Sequence, residues 1–198
     1  MTADSPGTAE AAVTAGARVG FYTYGHGPLW GVRVDGTDLR VRVAEATRAL
    51  WLPDLEREAA VAAAEGEEPP GPEALEERVL RQHAGMPADD LGDPARHFLG
   101  EVSREVRQDL WEQGREDLAG MVPLLGCCCT VWQCWPLLAR VTVTPRTVTW
   151  SLFRQPYRPE WGELAIGPYV FGRARYEDAL AHPVALGRDG DPLGPRTY

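Results

Sequence analysis

Residues 122–153 read VPLLGCCCTVWQCWPLLARVTVTPRTVTWSLF, and the folding of this run sets the architecture. β-Branched, aliphatic and aromatic residues fill it, interrupted at Thr130–Gln133 and at Pro145-Arg146. The pattern predicts three consecutive strands over 122–129, 134–144 and 147–153. Short turns between successive strands favour antiparallel pairing, with Thr130–Gln133 as a four-residue loop and Pro145-Arg146 as a tight turn. The expected class is α+β: an antiparallel sheet built from hairpins and meanders, with two to four helices packed on it.

The same run carries all four cysteines. Side chains alternate along a strand, so Cys127 and Cys129 share a face and Cys128 points the other way. A loop at Thr130–Gln133 sets Cys129 opposite Cys134, with Cβ atoms about 4.5–5.5 Å apart. Cys127, Cys129 and Cys134 then form a three-thiolate set suited to Zn²⁺, for which His97, or else His26, is the expected fourth ligand because both lie in loops. The C-x-C-x₄-C spacing is not a common zinc spacing, and reduced cysteines in a strand also serve as small apolar side chains. A redox or disulfide role is the third option; a disulfide needs Cβ atoms closer, near about 3.8 Å.

Upstream, Val19–Tyr24 is β-branched and aromatic, a strand. Trp30–Val34 and Leu39–Val43 alternate apolar residues with Arg33, Arg40 and Arg42 across Asp35–Asp38, which predicts a hairpin with the arginines facing water. Helix is expected over 44–52, over 55–65 beyond Pro53, from Pro72 to about His83, and over 101–117, where Val102, Val106 and Leu110 form a stripe. Downstream come a Pro-rich loop at 154–162, a strand at 169–171 and a short helix at 173–181. Residues 1–17 read as a disordered tail, 18–182 as one domain and 183–198 as a loose C-terminal tail.

The loop Arg154-Gln155-Pro156-Tyr157-Arg158-Pro159-Glu160-Trp161 combines two prolines with residue types that dominate protein interfaces. Arg154, Tyr157, Arg158 and Trp161 are its candidate binding residues. The alternative is that Tyr157 and Trp161 fold back on the sheet while the arginines pair with nearby carboxylates. His97 has no identifiable catalytic partner. Without a Gly-x-Ser-x-Gly elbow or a Gly-rich loop followed by Lys, serine hydrolysis and P-loop phosphate binding are not expected.

The run Leu124-Leu125-Gly126-Cys127-Cys128-Cys129, followed by Cys134-Trp135-Pro136-Leu137, resembles an uncharacterised actinobacterial protein family with the pattern L-L-G-C-x-C-G-x-x-G-C-W-P-L. The likeness extends over Arg96–Glu101, Trp150, Gln155-Pro156, Arg158–Trp161, Gly167-Pro168, Phe171, Arg173 and Tyr176-Glu177, about half of the chain. This chain has Thr130 and Gln133 where the pattern has glycine. The family has no established activity, so the resemblance implies kinship and no function.

All 20 basic residues are Arg, and the net charge is −9 over 198 residues. A chain this acidic repels nucleic acid and anionic membranes. Its N-terminus lacks the basic start and apolar core of a signal peptide, so cytoplasmic location and reduced cysteines are expected. These readings converge on a non-catalytic binding protein that engages a protein partner through the 154–161 loop. The alternative is a zinc- or thiol-dependent enzyme built on the cysteine cluster, the one cofactor the sequence suggests.

Overall fold

The computed structural model describes residues 14–68, 71–112, 116–118 and 120–194. The fold is α+β. Its first half contains β1 (Thr14–Ala15), β2 (Val19–Tyr24), β3 (Leu29–Val34) and β4 (Thr37–Asp38), then α1 (Leu39–Thr47). β2 and β3 form the hairpin, in register from Val19↔Val34 to Tyr24↔Leu29. The hairpin expected between 30–34 and 39–43 is therefore corrected: past the two residues of β4 the chain turns helical. Leu39 and Val43 fit a period of two and an i, i+4 helical face equally well. Asp38 decides between them by capping, its Oδ1 accepting from Arg40 N at 2.9 Å. Leu39, Val43 and Thr47 then form one buried face. Arg40, expected toward water, is 2% exposed.

After a 3₁₀ turn at Arg48–Trp51 come α2 (Leu52–Glu65), with Pro53 in its first turn, and α3 (Pro72–Leu80). A proline is tolerated there because the first helical N–H groups have no intrahelical partner. Next are β5 (His83–Ala84), β6 (Met86–Pro87), and the single turns α4 (Ala88–Leu91) and α5 (Pro94–His97). α6 (Arg104–Glu112) buries Val106; the side chains of Leu110 and Trp111 lie outside the described ones. The second half holds β7 (Met121–Cys127), β8 (Leu137–Val143), β9 (Thr147–Arg154), β10 (Tyr169–Gly172), α7 (Arg173–Ala181) and β11 (Val184–Ala185).

One sheet runs β1-β10-β9-β8-β7-β5; the other runs β11-β2-β3-β4, with β6 also on β3. Pairing is antiparallel except for β1 on β10 and β11 on β2. Residues 83–87 step from the first sheet to the second through Gly85. A Cβ there would stand 2.5 Å from the Trp30 carbonyl oxygen, so only glycine permits the approach. The core joins the sheets through aromatic side chains. Tyr176 of α7 packs edge-on against Phe21 of β2 and Trp150 of β9, and its hydroxyl donates to Phe98 O at 2.7 Å.

The expected termini are also corrected. Residues 1–13 of the proposed disordered tail lie outside the described residues, but Thr14 and Ala15 pair with β10. The C-terminal segment is fastened as far as Gly194. β11 pairs with β2, Gly25 N donates to Gly187 O, Arg81 donates to the carbonyls of Leu193 and Gly194, and Asp191 binds Arg40. The edge of β2 carries backbone groups that need partners, and the two-residue strand β11 supplies them. No helix among the described residues is long and apolar enough to cross a membrane.

Candidate functional site

The three strands expected over 122–153 are present as β7, β8 and β9, but the loop between the first two is longer than four residues. β7 ends at Cys127, and Cys129 and Cys134 are not a cross-strand pair. Thr130 N donates to Cys127 O at 3.0 Å to close a turn, and Cys134 N donates to Val131 O at 3.2 Å at the end of a 3₁₀ turn over Trp132–Cys134. Trp132 is 2% exposed and packs against Gly126, where a Cβ would lie 3.1 Å from its Cα. Burying that indole folds the loop back on the strand and returns Cys134 to the other cysteines.

The consequence is convergence by a different route. The Sγ atoms of Cys127, Cys129 and Cys134 all lie within 4.8 Å of one another. Cys128 stands outside the group, as strand alternation had suggested, although a turn rather than a strand places it there. Thr130 holds φ 69°, in the left-handed region. A β-branched residue is strained there and persists only where its surroundings impose the turn.

The three thiols are not equivalent. Burial pushes the Cys127 thiol up to about 12. At Cys129 burial acts upward, but hydrogen bonds from the backbone and from Cys127 and Cys134 outweigh it and hold the thiol below its ordinary value. Cys134 is raised, first by its hydrogen bond to Cys129. Cys129 is thus the first to ionise, with the neighbouring S–H groups pointed at it. Three thiolates this close repel one another unless a cation lies among them.

His97 does not join the sulfurs, which corrects the expected fourth ligand. Its Nε2 donates to Pro123 O at 2.8 Å, and its ring packs edge-on against Phe98. Pro123 precedes Cys127 by four residues on β7, roughly 13 Å along the strand. Burial pushes the His97 imidazole down to about 4. His26 is exposed in the β2–β3 turn and is likewise outside the group. The histidine beside the cysteines is His83, opposite Cys127 in the β5–β7 pair. Its Nδ1 lies 3.4 Å from Gly126 O, and burial pushes it down to about 4 against the opposing pull of the Gly126 and Trp135 backbone. Sequence reasoning missed it because the two-residue strand that carries it has no periodicity to detect.

The Arg/Tyr/Trp loop adjoins the cysteine loop. Tyr157 stacks on Trp135 at 6.2 Å, and its hydroxyl donates to Gln133 O at 2.6 Å, next to Cys134. The Arg158 guanidinium stands 5.5, 5.7 and 5.6 Å from the rings of Trp51, Trp135 and Trp161, and pairs with Asp54 at 2.7 Å. Trp135 Nε1 donates to Gln82 Oε1 at 2.7 Å. Arg154 ends β9 opposite Leu138, and Tyr157 is 43% exposed. The partners these contacts give Tyr157, Arg158 and Trp161 belong to the chain itself, so the loop braces the cysteine loop against the start of α2. Trp51 and Trp135, distant in sequence, had no signal linking them to Arg158.

Arg158→Ala removes a partly desolvated cation from three indoles and leaves Asp54, 15% exposed, without that partner. The expected cost is roughly 2 kcal/mol, read as a lower urea midpoint at unchanged slope. An unchanged midpoint would show that the loop does not brace the fold.

Compared with profiles of known protein families, with curated proteins and with solved structures, the chain matches none.

Proposed function

We propose that this is a cytoplasmic metal-binding protein that holds one thiophilic divalent ion, zinc in the first instance, on Cys127, Cys129 and Cys134. The observation that carries this reading is the mutual approach of three Sγ atoms to within 4.8 Å on a strained turn. Zn–S bonds near about 2.3 Å in a tetrahedron put sulfurs about 3.8 Å apart, so an ion needs only a small contraction of the group. Soft thiolates select zinc over magnesium and calcium. With one sulfur buried and two exposed, the site admits an ion from solvent while Cys127 anchors it. The three thiols release protons on binding, so affinity rises with pH.

Titration of the reduced chain with Co²⁺ tests the reading. One ion per chain and intense thiolate charge-transfer absorption are expected. Cys128→Ser should bind as the wild type does. C129S/C134S should lose affinity beyond the roughly 10–100-fold that an outer-shell defect costs. The reading fails if the wild-type chain takes up no ion, or if the double variant binds equally well.

A further inference from the structure

We propose that His83 supplies the nitrogen ligand that completes this centre as a three-sulfur, one-imidazole site; the inference rests on the ion-binding reading above. In the β5–β7 pair His83 is directly across from Cys127. Cys128 N donates to Gln82 O at 3.1 Å. In an antiparallel ladder hydrogen-bonded and non-hydrogen-bonded pairs alternate, so His83 and Cys127 form the non-hydrogen-bonded kind. Side chains at such a pair leave the sheet on one face and are closest there, with Cβ atoms about 4.5–5.5 Å apart. An ion with a Zn–S bond near 2.3 Å and a Zn–N bond near about 2.0 Å bridges that gap.

The surroundings of the ring point the same way. His83 is 3% exposed, its Nδ1 faces the Gly126 carbonyl at 3.4 Å, and the Trp135 carbonyl also acts on the ring. Those residues flank Cys127 and Cys134 directly in the chain. A neutral imidazole has one N–H and one lone pair. It donates from one nitrogen only, and the other keeps a lone pair to which a carbonyl oxygen has no hydrogen to offer. That lone pair is the donor an ion would take. Histidine ligands are commonly oriented by donating their second nitrogen to a backbone carbonyl, and both carbonyls here are placed for that role. The ring is turned toward the carbonyls and stands outside the three-sulfur group. Rotation about χ1 and χ2 swings it to the Cys127 side of the strand pair. Three thiolates alone would hold a dication at net charge −1. A neutral imidazole adds a donor without adding charge repulsion, in the Cys₃His set that zinc accepts.

X-ray absorption of the zinc-loaded wild-type chain, and of His83→Ala and His83→Gln, tests the assignment. The wild type should show three sulfurs and one imidazole nitrogen. Both variants should replace the nitrogen by oxygen, and their zinc affinity should fall at least 10-fold. A wild-type centre without imidazole scattering, or imidazole scattering that survives in both variants, overturns the role of His83 and leaves the three-cysteine site standing. A wild-type chain that binds no zinc overturns both. The wild-type spectrum alone decides the point if neither variant folds.

Discussion

Arg40→Ala is expected to destabilise the protein by about 3–5 kcal/mol, with the urea midpoint falling accordingly. Arg40 sits in the first turn of α1 with its side chain 2% exposed. Its guanidinium binds Asp38 through Nε at 3.0 Å and Nη2 at 2.9 Å, and Asp191 through Nη2 at 2.8 Å and Nη1 at 3.2 Å. It also reaches the Tyr22 hydroxyl, which donates to Asp38, and lies 5.2 Å from the Tyr24 ring centre. Truncation would leave Asp38, 6% exposed, facing Asp191 with no cation between them. A buried charge without its partner is costlier than the intact pair is stabilising, and that asymmetry makes the effect large. Because Asp191 belongs to the C-terminal segment, hydrogen exchange over 184–194 should accelerate in the variant more than over β8 and β9. A loss under about 1 kcal/mol, or equal acceleration everywhere, would mean that the network is not what fastens that segment.

Acid is expected to weaken the fold between about pH 6.5 and pH 4, with His97 as a principal cause. The ring is fully buried, and since Nε2 faces a carbonyl oxygen it carries the hydrogen. Nδ1 has no hydrogen-bond partner. A second proton would place a charge among Phe98 and other core side chains, and this desolvation pushes the group down to about 4. In the unfolded chain its value is about 6.5, so between the two the unfolded state binds the proton and the folded state does not. Stability is therefore complete above about pH 6.5, falls as pH drops toward 4, and levels off below. The contribution of one such histidine is on the order of 3 kcal/mol. His83, held down by burial in the same way, acts with the same sign. Asp191, lowered by hydrogen bonds from Arg40, is lost at more acidic pH still. Urea unfolding in the presence of a chelator, from about pH 7 to pH 5, should show a smaller loss for His97→Gln than for the wild type. Equal losses would assign the acid sensitivity elsewhere.

The proposed ion site and the loop that braces it meet at one corner of the molecule. The cysteine loop is held by Trp132 inside and by Trp135, Tyr157 and Gln82 outside. The Arg158 variant should therefore weaken affinity at the proposed ion site as well as the fold, whereas Arg40, in α1 beside the other sheet, should affect stability first.

Much of the second half of the fold is legible in the chain. The strands at 121–127, 137–143 and 147–154, the strand at 169–172 and the helix at 173–181 follow from alternation, turn residues and apolar spacing. The candidate ligands Cys127, Cys129 and Cys134 were legible for a related reason: residues so near in sequence meet whether the chain turns in four residues or in nine. The proposed fourth ligand was not, because nothing local distinguishes His83 from His97.

What the sequence by itself determined is each segment's periodicity, its stops and the donor set that a short loop can gather. Tertiary structure alone decided that Arg40 is buried against an Asp191 lying 151 residues away, that the 154–161 loop turns inward on Trp51 and Trp135, and that β5 brings His83 to Cys127. Periodicity reports which side of an element is apolar. The free energy of burying a charge, a ring nitrogen or a loop depends on partners that only the folded chain brings within reach.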